Sequence, residues 1–132
     1  MSTSARAVVP LRRRMLAKVV VGVARVLATR SPDRICRTLR RLRGGARPAT
    51  FEEASAARRA VVRVSPYCGG PLGCLPRSIA TALLCRLGGS WPTWQVGPRL
   101  HPPFGAHAWV EVDGKAVDEP YPDGFHVPML TV

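Results

Sequence analysis

Gly73-Cys74-Leu75-Pro76-Arg77-Ser78-Ile79-Ala80-Thr81-Ala82-Leu83-Leu84-Cys85-Arg86-Leu87 follows a segment, Ser65 to Gly73, that carries two prolines and three glycines. The first segment reads as a loop and the second as a helix opening at Cys74, with Pro76 in its first turn and Gly88-Gly89 as its stop. Leu75, Ile79, Leu83, Leu84 and Leu87 recur at helical spacing, so this helix is the expected centre of the core. A cysteine at the first helical residue has backbone N–H groups and the positive end of the helix dipole beside its sulfur, and both favour thiolate over thiol. The period changes after Gly89. A short strand is expected at 93–96, broken by Gly97-Pro98, then a loop at 101–105. Ala106–Val112, Asp113-Gly114 and Lys115–Asp118 read as two strands joined by a two-residue turn. One central helix packed on a small antiparallel sheet makes the fold class α+β.

Upstream, the residues read as three helices. From Leu11 to about Thr29, Leu16, Val19, Val20, Val23, Val26 and Leu27 form the expected core-facing stripe, with the arginines on the other face. Ser31 reads as an N-cap before Pro32, opening a helix with the stripe Ile35, Leu39 and Leu42 and a stop at Gly44-Gly45. Thr50-Phe51-Glu52-Glu53 is a capping box for a third helix that runs to about Val64. Residues 1–10 read as a frayed leader and 120–132 as an irregular tail. The division expected is 1–49, a basic helical region, and 50–132, a core.

Length and charge sharpen this division. The chain has 132 residues, 46% of them hydrophobic, and a formal net charge of +12. Residues 1–60 hold 15 Lys+Arg against 3 Asp+Glu, whereas residues 61–132 hold 5 of each, so the whole net charge lies in the first half. The apolar run after Arg12-Arg13-Arg14 is interrupted by Lys18 and Arg25 and falls well short of the ~20 residues of a spanning helix, so it is read neither as a signal sequence nor as an anchor. Cys36, Cys68, Cys74 and Cys85 contain no Cys-x-x-Cys pair. Neither a metal site nor a disulfide framework is indicated, no cofactor is expected, and a reducing, cytoplasmic setting suits the chain.

The hairpin brings a base to the thiol. With Asp113-Gly114 in the turn, Val112 faces Lys115, Glu111 faces Ala116, Val110 faces Val117 and Trp109 faces Asp118. His107 shares a side with Trp109, so Asp118 is expected diagonal to His107, with Glu119 turned away. A bulge or a three-residue turn would reverse the two and bring in Glu119. A nucleophilic Cys74, a base His107 and an orienting Asp118, or alternatively Glu119, is the arrangement that activates a thiol for attack on a carbonyl. Cys68 is a weaker rival nucleophile, because Gly-Gly-Pro follows it and no helix begins there. Cys36 and Cys85 read as buried helical thiols, and His101 and His126 as solvent-facing loop residues.

Gly73-Cys74-Leu75-Pro76-Arg77-Ser78 and Ala106-His107-Ala108-Trp109-Val110-Glu111-Val112-Asp113-Gly114, in that order, resemble the lasso-peptide leader peptidases, the transglutaminase-like cysteine proteases of lasso-peptide biosynthesis. The resemblance covers about residues 50–120. It implies a papain-like or transglutaminase-like core, Cys74 as nucleophile, His107 as base and the acid after the hairpin as orienter. It further implies removal of the leader from a ribosomally made precursor peptide, ahead of an ATP-dependent lasso cyclase. Fused members of that family carry an extra leader-binding domain. This chain looks like the split form, which works with a separate leader-recognition protein docked on the basic helices. Two readings of another class compete for those helices. One is a nucleic-acid-binding module without catalysis, disfavoured because no aromatics interleave the arginines. The other is contact of the Leu11–Thr29 helix with an anionic membrane surface.

Overall fold

The computed structural model describes residues 9–100, 105–122 and 124–132. Most of the expected leader, the loop at 101–104 with His101, and Asp123 of the tail lie outside the described residues. Helix α1 spans Leu11–Leu27, α2 Pro32–Arg43, α3 Phe51–Val64, the single turn α4 Pro66–Gly69, and α5 Cys74–Leu87. The strands are β1 (Arg47–Pro48), β2 (Ser90–Trp91), β3 (Thr93–Pro98), β4 (Ala106–Val112), β5 (Lys115–Ala116) and β6 (Leu130–Thr131). β1 and β2 form a parallel pair, and the main sheet is antiparallel in the order β5-β4-β3-β6.

Local chemistry sets the helix ends. Ser31 accepts the Arg34 N–H with Pro32 in the first turn of α2, and Thr50 and Glu53 form the reciprocal capping box of α3. α5 is buried from Pro76 to Cys85 and packs against α1, α3 and β4, so it occupies the centre of the molecule. Trp94, fully buried on β3, donates its indole N–H to Ser78 Oγ at 3.0 Å and ties the sheet to this helix.

Four expectations change. The inward face of α1 is Ala17, Val20, Val21 and Ala24, whereas Val19, Val23 and Val26 are half or more exposed. Small residues let α1 lie close against its neighbours, and close approach outweighed the size of the outer side chains. The segment after Ser65 holds the turn α4, because Ser65 Oγ caps it by accepting the Cys68 N–H. β3 continues through Gly97-Pro98 to pair Gly97 with His107 and Pro98 with Ala106. Gly97 is required there, since a Cβ would sit 1.7 Å from the Val127 carbonyl oxygen. The tail is also not wholly irregular: β6 adds to the sheet edge, with Leu130 facing Val96 and Thr131 facing Gln95.

Candidate active site

Cys74 is the first residue of α5 and half-buried. The loop before it is drawn tight. A Cβ on Gly73 would lie 2.0 Å from the Tyr67 carbonyl oxygen, so only glycine lets the chain pass into α5 at this point. Arg77, one turn into α5 and buried, donates to the carbonyls of Cys68 at 2.8 Å and Gly70 at 3.4 Å. The motif arginine therefore clamps the loop that delivers the thiol.

The first turn of α5 faces β4, and the His107 imidazole stands beside the Cys74 thiol, each group shifting the other's ionisation. His107 Nε2 meets Glu119 Oε1 at 2.5 Å, which leaves Nδ1 for the sulfur. Glu119 is closed in by Arg58 of α3, whose Nη2 lies 3.4 Å from Oε2. Asp118 does not face the imidazole. Its Oδ2 accepts the Ser55 hydroxyl at 2.5 Å, and Arg59 donates to the same Ser55 Oγ at 2.8 Å.

The hairpin itself follows the expected register as far as Val117, whose N–H donates to the Val110 carbonyl at 2.9 Å. Asp113 and Gly114, with φ of 53° and 79°, form the two-residue turn. Strand alternation then ends, because Asp118 adopts a left-handed φ of 52°. Aspartate tolerates that region, and the Ser55 bond holds it there. The reversal turns Asp118 toward α3 and swings Glu119 onto His107, so the acid beside the base is Glu119.

Burial alone would hold all three groups neutral, and the contacts among them overcome it. Burial pushes the Cys74 thiol up, but the His107 bond, a hydrogen bond from the Ala108 N–H and the charges of His107 and Arg77 bring it below the ordinary thiol range. The Ala108 N–H is free to do this. Val110, two residues on, turns the same edge of its backbone to Val117, and the segment after Val117 leaves the sheet before it comes opposite Ala108. Burial lowers His107, yet its bonds to Cys74 and Glu119 raise it to about 9. Burial raises Glu119, yet the His107 bond and the charges of His107, Arg58 and Arg77 hold it below the carboxylate range. The contacts thus favour the charged form of each group: thiolate at Cys74, imidazolium at His107 and carboxylate at Glu119.

His126 departs from the solvent-facing expectation. It bridges Arg99 on the strand side, and its ring centroid lies 4.7 Å from that of His107 and 5.7 Å from that of Trp109. Together with Trp109, Glu111, Glu119 and Tyr121 it lines a cavity of about 140 Å³ beside His107. Arg58, Ser55 and His126 carry no local signature that marks them for this site; only the packing of α3 and of the tail brings them in. Cys68, the rival thiol, is fully buried inside α4, away from any substrate. Cys36 and Cys85 are buried, and burial raises both thiols, Cys85 to about 11. Among the described residues no cluster of side chains could hold a metal ion.

The chain matches the transglutaminase-like superfamily over residues 7–129. It belongs to that superfamily. No curated protein and no solved structure matches it. The match extends across all the helices and nearly the whole sheet, and the mixed helix and small antiparallel sheet are those of a transglutaminase-like domain. Membership in a superfamily that includes cysteine proteases is consistent with a cysteine peptidase kind of function. Among the described residues no helix is long and apolar enough to cross a membrane.

Proposed function

We propose that this member of the transglutaminase-like superfamily is a thiol protease that removes the leader from a lasso precursor peptide, using Cys74, His107 and Glu119. The observation that carries the reading is the Cys74 thiol beside His107, whose Nε2 meets Glu119 Oε1 at 2.5 Å, set at the start of a buried helix. The leader-peptidase assignment rests in addition on the Cys-Leu-x-Arg-Ser and His-Ala-Trp-Val-Glu motifs.

In this mechanism the Cys74 thiolate attacks the scissile carbonyl carbon. The backbone N–H of Cys74, in the first turn of α5, stabilises the tetrahedral oxyanion. The His107 imidazolium gives its proton to the leaving amine, which departs as the new N-terminus of the core peptide, and the leader remains as a thioester on Cys74. Neutral His107 then takes a proton from water, whose oxygen attacks the thioester and releases the leader as a carboxylic acid. Glu119 holds the imidazole in the tautomer this cycle needs and stabilises its charged form. The basic first half of the chain serves as the docking side for the separate leader-recognition protein, and the product passes to the cyclase.

Incubation with precursor peptide and leader-recognition protein, read by mass spectrometry, tests the assignment. Wild-type chain should release leader acid and free core. Cys74→Ala should release neither while still binding the precursor complex, and cleavage retained by Cys74→Ala ends the proposal.

A further inference from the structure

The outer face of α1 carries a second apolar row that the core does not use. Met15, Val19, Gly22 and Val26 follow one another at intervals of four, three and four, and the three side chains among them are 58%, 62% and 57% exposed. That alternation is the spacing of a helix-on-helix seam, with two apolar positions in seven. Beside it runs an open groove of about 590 Å³, walled by Val19, Val23, Val26 and Leu27 of α1 and by Thr38 and Leu42 of α2. Gly22 forms part of its floor, and a Cβ placed there would meet nothing within 4 Å. Lys18 and Arg30 stand at its rim and no acidic side chain lines it.

We propose that this groove seats an amphipathic helix of another protein, its apolar residues in the seam above Gly22 and acidic residues on its flanks against Lys18 and Arg30. Three observations select this occupant. The seam runs at heptad spacing beside the wall that Thr38 and Leu42 of α2 raise, and such a groove takes a helix ridge. A membrane-surface helix commonly carries aromatic anchors, and α1 contains no aromatic residue. The basic rim, on a chain of net charge +12, opposes a second copy in the same groove and favours an acidic partner.

The test uses the full chain and a synthetic stapled amphipathic peptide with leucines at heptad spacing and glutamates on both flanks, followed by fluorescence polarisation. The peptide should bind, and binding should weaken as salt rises. Gly22→Trp should reduce affinity by at least ~10-fold by filling the floor, whereas Gly22→Ala should keep most of it. Lys18→Glu with Arg30→Glu should weaken the glutamate peptide and strengthen a lysine-flanked one. Circular dichroism and urea unfolding of Gly22→Trp serve as fold controls, since Gly22 is exposed and a side chain added there meets no neighbour. Absence of peptide binding, or equal binding by wild type and Gly22→Trp, overturns the proposal. So does Gly22-dependent sedimentation with phosphatidylglycerol vesicles in place of peptide binding, which assigns the face to a membrane. A Gly22-dependent dimer in sedimentation equilibrium overturns it in favour of a second copy.

Discussion

Asp118 and Glu119 are adjacent carboxylates with different work, and one backbone angle separates them. Asp118 is spent on Ser55 and Glu119 on His107. Glu119→Gln should therefore lower the cleavage rate by roughly 10²–10⁴-fold, the range for losing an acid–base partner's support, in a kcat measurement on precursor. Asp118→Asn should leave kcat within a few-fold and cost about 1 kcal/mol in urea unfolding, because it weakens only the brace to α3. The pH profile follows from the same contacts. Cys74 ionises below the ordinary thiol range, so kcat/KM rises on the acid side and levels out. His107 holds its proton until about pH 9, so the rate falls as pH rises through that value. Glu119→Gln removes a contact that raises His107, and the alkaline limb should move to lower pH.

Elements meet at one glycine and one small-residue face, and each makes a prediction in stability. Gly97→Ala drives a methyl carbon toward the Val127 carbonyl oxygen and should cost about 1–3 kcal/mol in urea unfolding, with the tail displaced from β3. On α1, Ala24→Leu should cost a similar ~1–3 kcal/mol, since Ala24 has no exposed surface against the core. Val23→Ala, on the half-exposed side of the same helix, should change stability by less than about 0.5 kcal/mol. The pair separates the face that α1 buries from the face that its large side chains suggest.

At the scale of the whole molecule, the charge and the core are not divided as the composition is. All the net charge lies in residues 1–60, yet Ala17, Val20, Ile35 and Leu39 from that half belong to the same apolar cluster as Ile79, Leu84 and Trp94. Arg86 of α5 binds the Leu42 and Gly44 carbonyls, and Arg43 binds that of Val132, so the basic half is also stitched to the rest by hydrogen bonds. A chain beginning at residue 50 should accordingly lose the single cooperative unfolding transition in circular dichroism. Its α5 would expose the side that α1 covers.

Much of this was legible before any tertiary contact. The caps at Ser31 and Thr50, the helix opening at Cys74, the Asp113-Gly114 turn and the placing of His107 on the side of Trp109 depend on local backbone chemistry, which acts over a few residues and leaves its mark in them. Only the folded chain decided which carboxylate faces His107, which side of α1 is buried, and that Arg58, Ser55 and His126 belong to the site. Each of those choices depends on a partner more than ten residues away: Ser55 reaches across to hold Asp118 in its left-handed turn, the close neighbours of α1 select small side chains over large ones, and the tail folds back along β3 to bring His126 onto His107. Periodicity reports that a helix has an apolar side. It does not report how near the next helix will come.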